Sequence, residues 1–171
     1  MFSEAHGYLG YRDYGDGATD RFREPSISSR PGDKSMMTDA RNAEKPGDEA
    51  VTMALLDEIH EAFNSRDADR IVEYFAEDAI FYMASGPDPD GRAVRGKAAI
   101  RQVLADRFLV IPDMRWETSY GYTAGSRAVT VWRVKGNAED GTVLDYQGCD
   151  LWEFRDGLVQ NKDTYWKIVE L

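Results

Sequence analysis

Apolar residues at two different spacings divide this chain into a helical part and a strand part. Between residues 49 and 64 the apolar positions Leu55, Ile59 and Phe63 recur every four residues, which is the period of an amphipathic helix. Asp48 precedes this run and is a suitable N-cap, because its carboxylate can accept hydrogen bonds from the first free N–H groups. The pattern therefore predicts a helix over residues 49–64 that buries one face.

Two further helices are predicted after the first. Asp67 can cap a short second helix that continues through Phe75, and an apolar run over residues 97–110 predicts a third. A strand is predicted between them, over residues 79–83. Residues 84–95 are rich in glycine, proline and aspartate, so they are predicted to form an irregular loop and are a candidate lid.

The rest of the chain alternates between apolar and polar residues, which is the pattern of strands. We predict strands over residues 115–123 and 127–135, then a hairpin with arms 143–154 and 158–166 around an Asp156-Gly157 turn. Helices precede most strands instead of alternating with them. The predicted fold class is therefore α+β with a largely antiparallel sheet.

The hairpin carries a carboxylate, Asp150, inside a strand that is otherwise patterned for burial. A buried carboxylate is costly unless it is paired or used. A three-residue loop over residues 155–157 would place Asp150 opposite Lys162, whereas a two-residue loop would place it opposite Asp163. The first register gives an ion pair, and the second gives a like-charge pair that would raise the pKa of one carboxyl group.

Residues 1–48 show neither strand nor helix periodicity and are dense in glycine, serine, proline and charged residues. We predict a disordered tail over residues 1–48 and one domain over residues 49–171, because 42% hydrophobic residues suffice for a single core. Met36 and Met37 precede the first helix closely, so the natural start of the protein is an open alternative.

Charge and cysteine usage exclude several kinds of partner. A net charge of −10 disfavours binding to nucleic acid and to anionic membrane surfaces. The sequence holds no membrane-length apolar run, and its first residues lack the apolar core of a signal peptide. Cys149 is the one cysteine, which fits a reducing compartment, so we expect a cytoplasmic protein.

Five short motifs, in their order along the chain, resemble a known family. They are residues 64–69 (NSRDAD), 74–79 (YFAEDA), 95–97 (RGK), 154–159 (FRDGLV) and 165–166 (YW). The chain resembles the SnoaL-like and ketosteroid-isomerase-like branch of the nuclear transport factor 2-like superfamily. The resemblance implies a curved sheet wrapped around a long helix, a conical hydrophobic pocket and a homodimer through the outer sheet face. Members of this superfamily include enzymes and non-enzymes.

The resemblance also implies roles for individual positions. In ketosteroid isomerases the positions that match Met83 and Ile59 hold the general base and an oxyanion-binding tyrosine, and neither side chain here can serve. Classical steroid isomerisation is therefore not expected. The remaining carboxylic acid of that site matches Asp150. Because the family places the positions of Asp150 and Trp166 in its pocket, we favour Lys162 as the partner of Asp150.

The candidate catalytic residues are Asp150 as general acid or base, Lys162 as its electrostatic partner and His60 as a spare proton-transfer group. The candidate substrate-binding residues are Phe81, Met83, Trp116, Trp132, Trp152, Thr164 and Trp166. With two histidines and one cysteine in the chain we expect no metal site, and we expect no cofactor.

The sequence supports two candidate functions. The first is a cofactor-independent isomerase, cyclase or dehydratase acting on a small apolar carbonyl compound. The alternative is a non-catalytic member of the same fold that binds a hydrophobic ligand or another protein. An Asp150 exposed in an open, aromatic-walled cavity would favour the first, and a filled interior would favour the second.

Overall fold

The structure is a computed structural model that describes residues 50–167 and residue 169. The tail predicted over residues 1–48, including the predicted cap Asp48, lies outside the described residues, and so does its boundary with the domain.

Three helices are present: α1 is Met53–Ser65, α2 is Ala68–Val72 and α3 is Lys97–Val110. The predictions of α2 with its Asp67 cap and of α3 are confirmed. The predicted start of α1 is wrong, because Val51 donates a backbone hydrogen bond to Gly125 at 3.0 Å and so holds this segment extended. Thr52 caps the helix instead, by accepting from the Leu55 N–H at 3.2 Å.

Six strands form one sheet. They are β1 (Phe75–Tyr82), β2 (Ala93–Arg95), β3 (Arg115–Ala124), β4 (Arg127–Asn137), β5 (Val143–Arg155) and β6 (Leu158–Trp166). Their order across the sheet is β2-β1-β6-β5-β4-β3. The β1 and β6 strands run parallel and the other neighbours run antiparallel, so the prediction of a largely antiparallel α+β sheet is confirmed.

Two predicted boundaries near β1 are wrong. Phe75 begins β1 instead of ending α2, because it pairs with Val159 of the last strand and is fully buried. A short apolar run does not distinguish a buried helix from a buried strand. The predicted loop over residues 84–95 ends in β2, where Val94 pairs with Phe81. The loop itself is closed by a hydrogen bond from the Arg92 N–H to the Ser85 carbonyl at 3.2 Å.

Strict alternation gives the sheet two different faces. In β4 and β5 the even-numbered side chains are buried, and Phe63 of α1 packs edge-on against Trp116 and Trp152 from the helix side. We call the face that carries these buried residues the inner face and the opposite one the outer face. The sheet is curved, and its inner face holds Asp150 and Lys162, which are discussed next.

Candidate active site

The β5–β6 turn is a two-residue loop. Arg155 pairs with Leu158, and both Asp156 (φ 54°) and Gly157 (φ 76°) adopt positive φ. This combination at both central positions is the type I′ geometry that Asp-Gly favours. The three-residue loop that would have placed Asp150 opposite Lys162 is therefore wrong.

A bulge in β6 then changes the register. Phe154 pairs with Val159, and Glu153 pairs with Asn161, so Gln160 is an extra residue. As a result Asp150 lies directly opposite Thr164, which neither predicted register proposed. The extra residue also sets which β6 side chains point inward.

Asp150 and Lys162 nevertheless form an ion pair across a diagonal of the hairpin. Lys162 Nζ lies 2.5 Å from Asp150 Oδ1, and the two residues are 4% and 3% exposed. Thr164 Oγ1 accepts a hydrogen bond from Lys162 at 2.6 Å and donates one to Asp150 Oδ1 at 2.7 Å. The pair is therefore buried and directly bridged by a hydroxyl.

Each member of the pair keeps some hydrogen-bonding capacity. Trp132 Nε1 donates to Asp150 Oδ2 at 2.8 Å, so the carboxylate accepts three hydrogen bonds from described residues out of about four that it can accept. Lys162 uses two of its N–H groups on Asp150 and Thr164. Its ammonium otherwise faces the rings of Phe81 at 4.4 Å and Trp152 at 5.0 Å.

The surroundings of Lys162 shift its pKa in both directions. Desolvation lowers the pKa of its ammonium, and the Asp150 carboxylate opposes that effect by favouring the charged form. Arg107, on α3, adds to the lowering because it is a second cation close enough to act on Lys162. The ion pair therefore lies in a region of low polarity, where the charge of Arg107 also acts on Lys162.

His60 lies on α1 and is 7% exposed. Its Nδ1 is 3.1 Å from Thr118 Oγ1, and its Nε2 is buried without a hydrogen-bond partner among the described residues. Burial lowers the pKa of the ring below 6.5, while Asp150 and Asp57 oppose this and Lys162 adds to it. His60 is therefore neutral at pH 7 and presents an unused nitrogen to the interior.

Ring contacts, the ion pair and the hydrogen bond from Trp132 connect these groups into a continuous chain, which we call the inner row. In order it consists of His60, Trp152, Lys162, Asp150, Trp132 and Trp166. The ring centroids of His60 and Trp152 are 6.3 Å apart, and those of Trp132 and Trp166 are 6.1 Å apart. At the far end Trp166 Nε1 is also buried and unpartnered among described residues; the third such atom, Gln160 Oε1, lies on the bulge.

The structure describes all seven predicted binding residues. Phe81, Met83, Trp132, Trp152 and Thr164 are buried, and Trp116 and Trp166 are half-buried. Five of them, Phe81, Trp132, Trp152, Thr164 and Trp166, belong to the inner row or contact its ion pair. Trp116 packs against Phe63 and Phe108 beside the row.

Sequence reasoning missed three residues that support the inner row. Thr130 accepts a hydrogen bond from Trp152 Nε1 at 2.9 Å. Gly148 lies under the Trp132 ring, where a Cβ atom would collide with that ring. Arg107 lies 5.7 Å above the Trp166 ring. The inward-facing glycine was a readable signal, because glycine in a strand often marks a close approach.

A surface groove of about 230 Å³ lies away from the ion pair. It is lined by Tyr122, Ala124, Arg127, Ala128, Val129, Leu151, Trp152 and Glu153. Of the predicted binding residues, only Trp152 reaches it. This groove is therefore not the conical pocket that the sequence led us to expect. Asp150 is 3% exposed and does not line the groove, so the criterion set from the sequence favours the non-catalytic alternative.

Neither a metal cluster nor a membrane span is found among the described residues. Within residues 50–167, no group of three histidine, cysteine or acidic side chains is placed to hold a metal ion. No helix in the same part of the chain is long and apolar enough to cross a membrane. The cytoplasmic location stays a prediction.

Comparison with known proteins gives a family and a fold. The sequence profile of the SnoaL-like domain matches residues 56–161. Comparison with curated proteins finds no match.

Similar solved structures share the fold at low sequence identity. An NTF2-like protein of unknown function from Mesorhizobium loti has a TM-score of 0.56 at 24% identity, over 68% of this chain and 90% of that one. A hypothetical protein from Catenulispora acidiphila with a ketosteroid isomerase-like fold, solved with trimethylamine, has a TM-score of 0.60 at 16% identity, over 69% and 88%. TerC, co-crystallised with polyporic acid, has a TM-score of 0.59 at 20% identity, over 67% and 90%.

Proposed function

The chain belongs to the SnoaL-like domain family, and on that premise we propose that it is a cofactor-independent enzyme acting on a small apolar carbonyl compound. The reaction class is that of an isomerase, cyclase or dehydratase, whose common step is removal of a proton from carbon beside a carbonyl group. The small organic molecules in the structures of two neighbours support a small-molecule partner. The family alone does not select among these reactions.

Asp150 is the proposed general base. Its Oδ2 accepts one hydrogen bond, from Trp132, and so has room for one more. That remaining position can take a proton from a substrate carbon, leaving the electron pair on the substrate as an enolate. General-base catalysis of this kind contributes about 10²- to 10⁴-fold in rate.

Lys162 is the proposed stabiliser of the enolate oxygen. Its third N–H points among aromatic rings, where a hydrogen bond to a developing negative charge is stronger than in water. The ammonium is fixed by Asp150 and Thr164, so it would not need to reorganise during the reaction.

His60 is the proposed second proton-transfer group. A single carboxylate can remove a proton from one carbon and return it to another, and His60 Nε2, the unused nitrogen at one end of the inner row, could accept a proton from a second position of the substrate. Because burial lowers its pKa, the ring is neutral at pH 7, so its unused nitrogen would accept a proton, and the proton returned to carbon would come from the protonated Asp150 carboxyl group.

One observation carries the proposal: the buried charge pair keeps an open acceptor position and is connected through Trp152 to an unpartnered buried nitrogen of His60. Interior polar groups that serve packing alone are almost always hydrogen-bonded. An imidazole nitrogen that has no partner among the described residues, close to an ion pair, therefore supports a site that binds a ligand.

A second candidate is a non-catalytic ligand-binding member of the fold, in which Asp150 and Lys162 only hold the hairpin register. The 3% exposure of Asp150 favours it, because a substrate must displace packed side chains to reach the carboxylate. Under this alternative, removing the charge of Asp150 changes stability and leaves ligand affinity unchanged.

The two candidates are separated by hydrogen exchange in D₂O. NMR would follow loss of the protons beside the carbonyl in a panel of apolar ketones such as 2-tetralone, with wild type, Asp150→Asn and Asp145→Asn. Asp145 lies on the same strand but is exposed and paired with Arg133, so it is the matched control. We expect wild type and the control to accelerate exchange, and Asp150→Asn to lose about 100-fold or more.

Circular dichroism of the three proteins would confirm that each remains folded. Exchange that persists in folded Asp150→Asn would overturn Asp150 as the base. Absence of exchange with every ketone in wild type, together with unchanged ligand binding in Asp150→Asn, would support the non-catalytic candidate.

A homodimer through the outer sheet face is proposed as the assembly. That face exposes Tyr120, Tyr122, Leu151 and Tyr165 by 60%, 59%, 41% and 53%. Six of its charges are paired within the chain, Arg127 with Glu153, Lys135 with Glu117 and Arg133 with Asp145, and Asp163 accepts a hydrogen bond from the Tyr165 hydroxyl. A second copy could therefore dock there without strong repulsion, although the chain carries a net charge of −10.

A further inference from the structure

The His60 ring is held from two sides. Its Nδ1 lies 3.1 Å from Thr118 Oγ1 on β3, and the ring meets Trp152 edge-on, with the ring centroids 6.3 Å apart. His60 is 7% exposed, whereas Thr118 is an exposed residue of the edge strand. The contact with Thr118 is the one hydrogen bond of the ring among the described residues, so its direction decides which ring nitrogen carries the proton.

The two directions of this hydrogen bond leave Nε2 in different states, because a neutral imidazole donates with one nitrogen and accepts with the other. If Thr118 donated to Nδ1, the proton would be on Nε2, which is buried and has no acceptor among the described residues. If Nδ1–H donates to Thr118 instead, Nε2 is a bare acceptor, and the exposed hydroxyl can donate its own proton to water. In folded proteins a buried N–H is left without a partner less often than a buried acceptor, so the second direction is favoured.

A second contact between α1 and β3 fixes their separation at this point. Asn64 follows His60 by one helical turn, and its side chain binds both backbone groups of Trp116: Nδ2 donates to the carbonyl at 3.0 Å, and Oδ1 accepts from the N–H at 2.8 Å. These backbone groups are accessible to Asn64 because β3 is at the edge of the sheet. Trp116 and Thr118 are two residues apart on one strand, so their side chains lie on the same face and Asn64 sets the position of Thr118 relative to the His60 ring.

We propose that Thr118 is a positioning residue that holds His60 with its proton on Nδ1, so that the buried Nε2 is a bare nitrogen, and that Asn64 fixes β3 for this contact. This inference rests on the proposed function and deepens it, because a bare Nε2 is what allows His60 to accept a proton from a substrate. The position of the ring proton is a property of the free protein, so it is measured without a ligand.

The test is nitrogen-15 NMR of the histidine rings at about pH 7.5, where the His60 ring is neutral. The chain has two histidines, so His60→Gln assigns the His60 signals by their loss. The two ring nitrogens are distinguished by their couplings, since Nε2 couples to both carbon-bound ring protons and Nδ1 chiefly to one. We expect the wild-type Nδ1 to have the chemical shift of a protonated nitrogen and Nε2 that of a bare one.

Two substitutions at Thr118 separate its hydroxyl from its shape. Thr118→Val keeps the shape and should lose the fixed ring proton, so that both nitrogen shifts move toward the average of the two forms. Thr118→Ser keeps the hydroxyl and should retain the wild-type shifts. Thr123→Val, on the same strand, is the matched control and should leave the ring signals unchanged. Asn64→Ala should act as Thr118→Val does but to a smaller extent, because Trp116 is no longer held.

Circular dichroism of each variant confirms that it is folded. A protonated Nε2 in wild type would overturn the proposal, because Thr118 would then be the donor. Wild-type ring shifts in folded Thr118→Val would show that the hydroxyl does not set the proton, and averaged shifts in Thr118→Ser would show that shape matters more than the hydroxyl. Either result would also overturn it.

Failure of this positioning and failure of the proposed enzyme give different results. The ring proton of His60 is located in the free protein, so it can be on Nδ1 in a protein that does not exchange ketone protons. Conversely, exchange that depends on Asp150 would persist with the proton on Nε2, and only the role of His60 as a proton acceptor would be lost.

Discussion

Burial of His60 in the folded protein opposes protonation of its ring. In the folded protein burial lowers its pKa, and the groups that act on it are the carboxylates of Asp150 and Asp57 and the ammonium of Lys162. In the unfolded chain the same ring has its ordinary pKa near 6.5. Below that pH the His60 ring therefore binds a proton in the unfolded state more readily than in the folded state.

Acidification should accordingly destabilise the protein through this one residue. The stability that His60 contributes is fully present above pH 6.5 and falls as the pH drops through the window between the unfolded pKa and the lower folded one. Urea unfolding at about pH 7.5 and about pH 5.5 should show a larger loss for wild type than for His60→Gln, which does not titrate. Equal losses in the two proteins would show that the ring is protonated as readily when folded as when unfolded.

Asp150 could be singled out from the sequence because a carboxylate in a buried strand needs a partner. Its contact with Lys162 was also predicted, but from a register that is wrong in two ways. The loop is one residue shorter than predicted, and Gln160 adds one residue to the strand. Either change alone would turn Lys162 to the outer face, and together they leave it on the inner face. The bulge could not be predicted, because nothing in the residues around Gln160 marks it.

At the scale of elements, boundaries were predictable where local chemistry marks them. Asp67 as a cap fixes the start of α2, and Gly96 and Pro112 flank α3. The start of α1 and the existence of β2 depend on hydrogen bonds to distant segments, Gly125 for the first and β1 for the second. Such partners are set by the tertiary fold, and a local pattern does not contain them.

Two glycines in the β5–β6 hairpin should respond differently to alanine. At Gly157 a Cβ atom meets nothing within 4 Å, so Gly157→Ala should cost only the conformational penalty of positive φ, about 1 kcal/mol. At Gly148 the new atom collides with the Trp132 ring, which holds Asp150 through its Nε1. Gly148→Ala should cost roughly 1–3 kcal/mol and displace that ring.

Urea unfolding measures both costs, and near-ultraviolet circular dichroism reports on the tryptophans. We expect the aromatic spectrum to change in Gly148→Ala and to stay as in wild type in Gly157→Ala. If Gly148→Ala left the spectrum unaltered, the position of the Trp132 ring would not depend on the absence of a side chain at residue 148.

For the whole molecule, the proposed dimer makes a simple prediction about mass. Leu151 lies near the centre of the outer face, whereas Val143 is exposed at the start of the same strand. Light scattering should give twice the chain mass for wild type and for Val143→Asp, and the monomer mass for Leu151→Asp, because each copy would then have to bury an unpaired carboxylate in the interface. A wild-type monomer at every concentration would rule out the assembly.

The parallel pairing of β1 with β6 has a consequence for synthesis on the ribosome. The strand that emerges after the other five occupies the middle of the sheet, between β1 and β5. Until it emerges, the nascent chain holds two separate pieces of sheet, each with an unpaired edge, and Asp150 has no counter-ion. Long-range pairing of this kind folds slowly and exposes edges that promote aggregation. A translation product that stopped before β6 would leave the edges of β1 and β5 unpaired. Chaperones and proteases would therefore recognise it as soon as it left the ribosome.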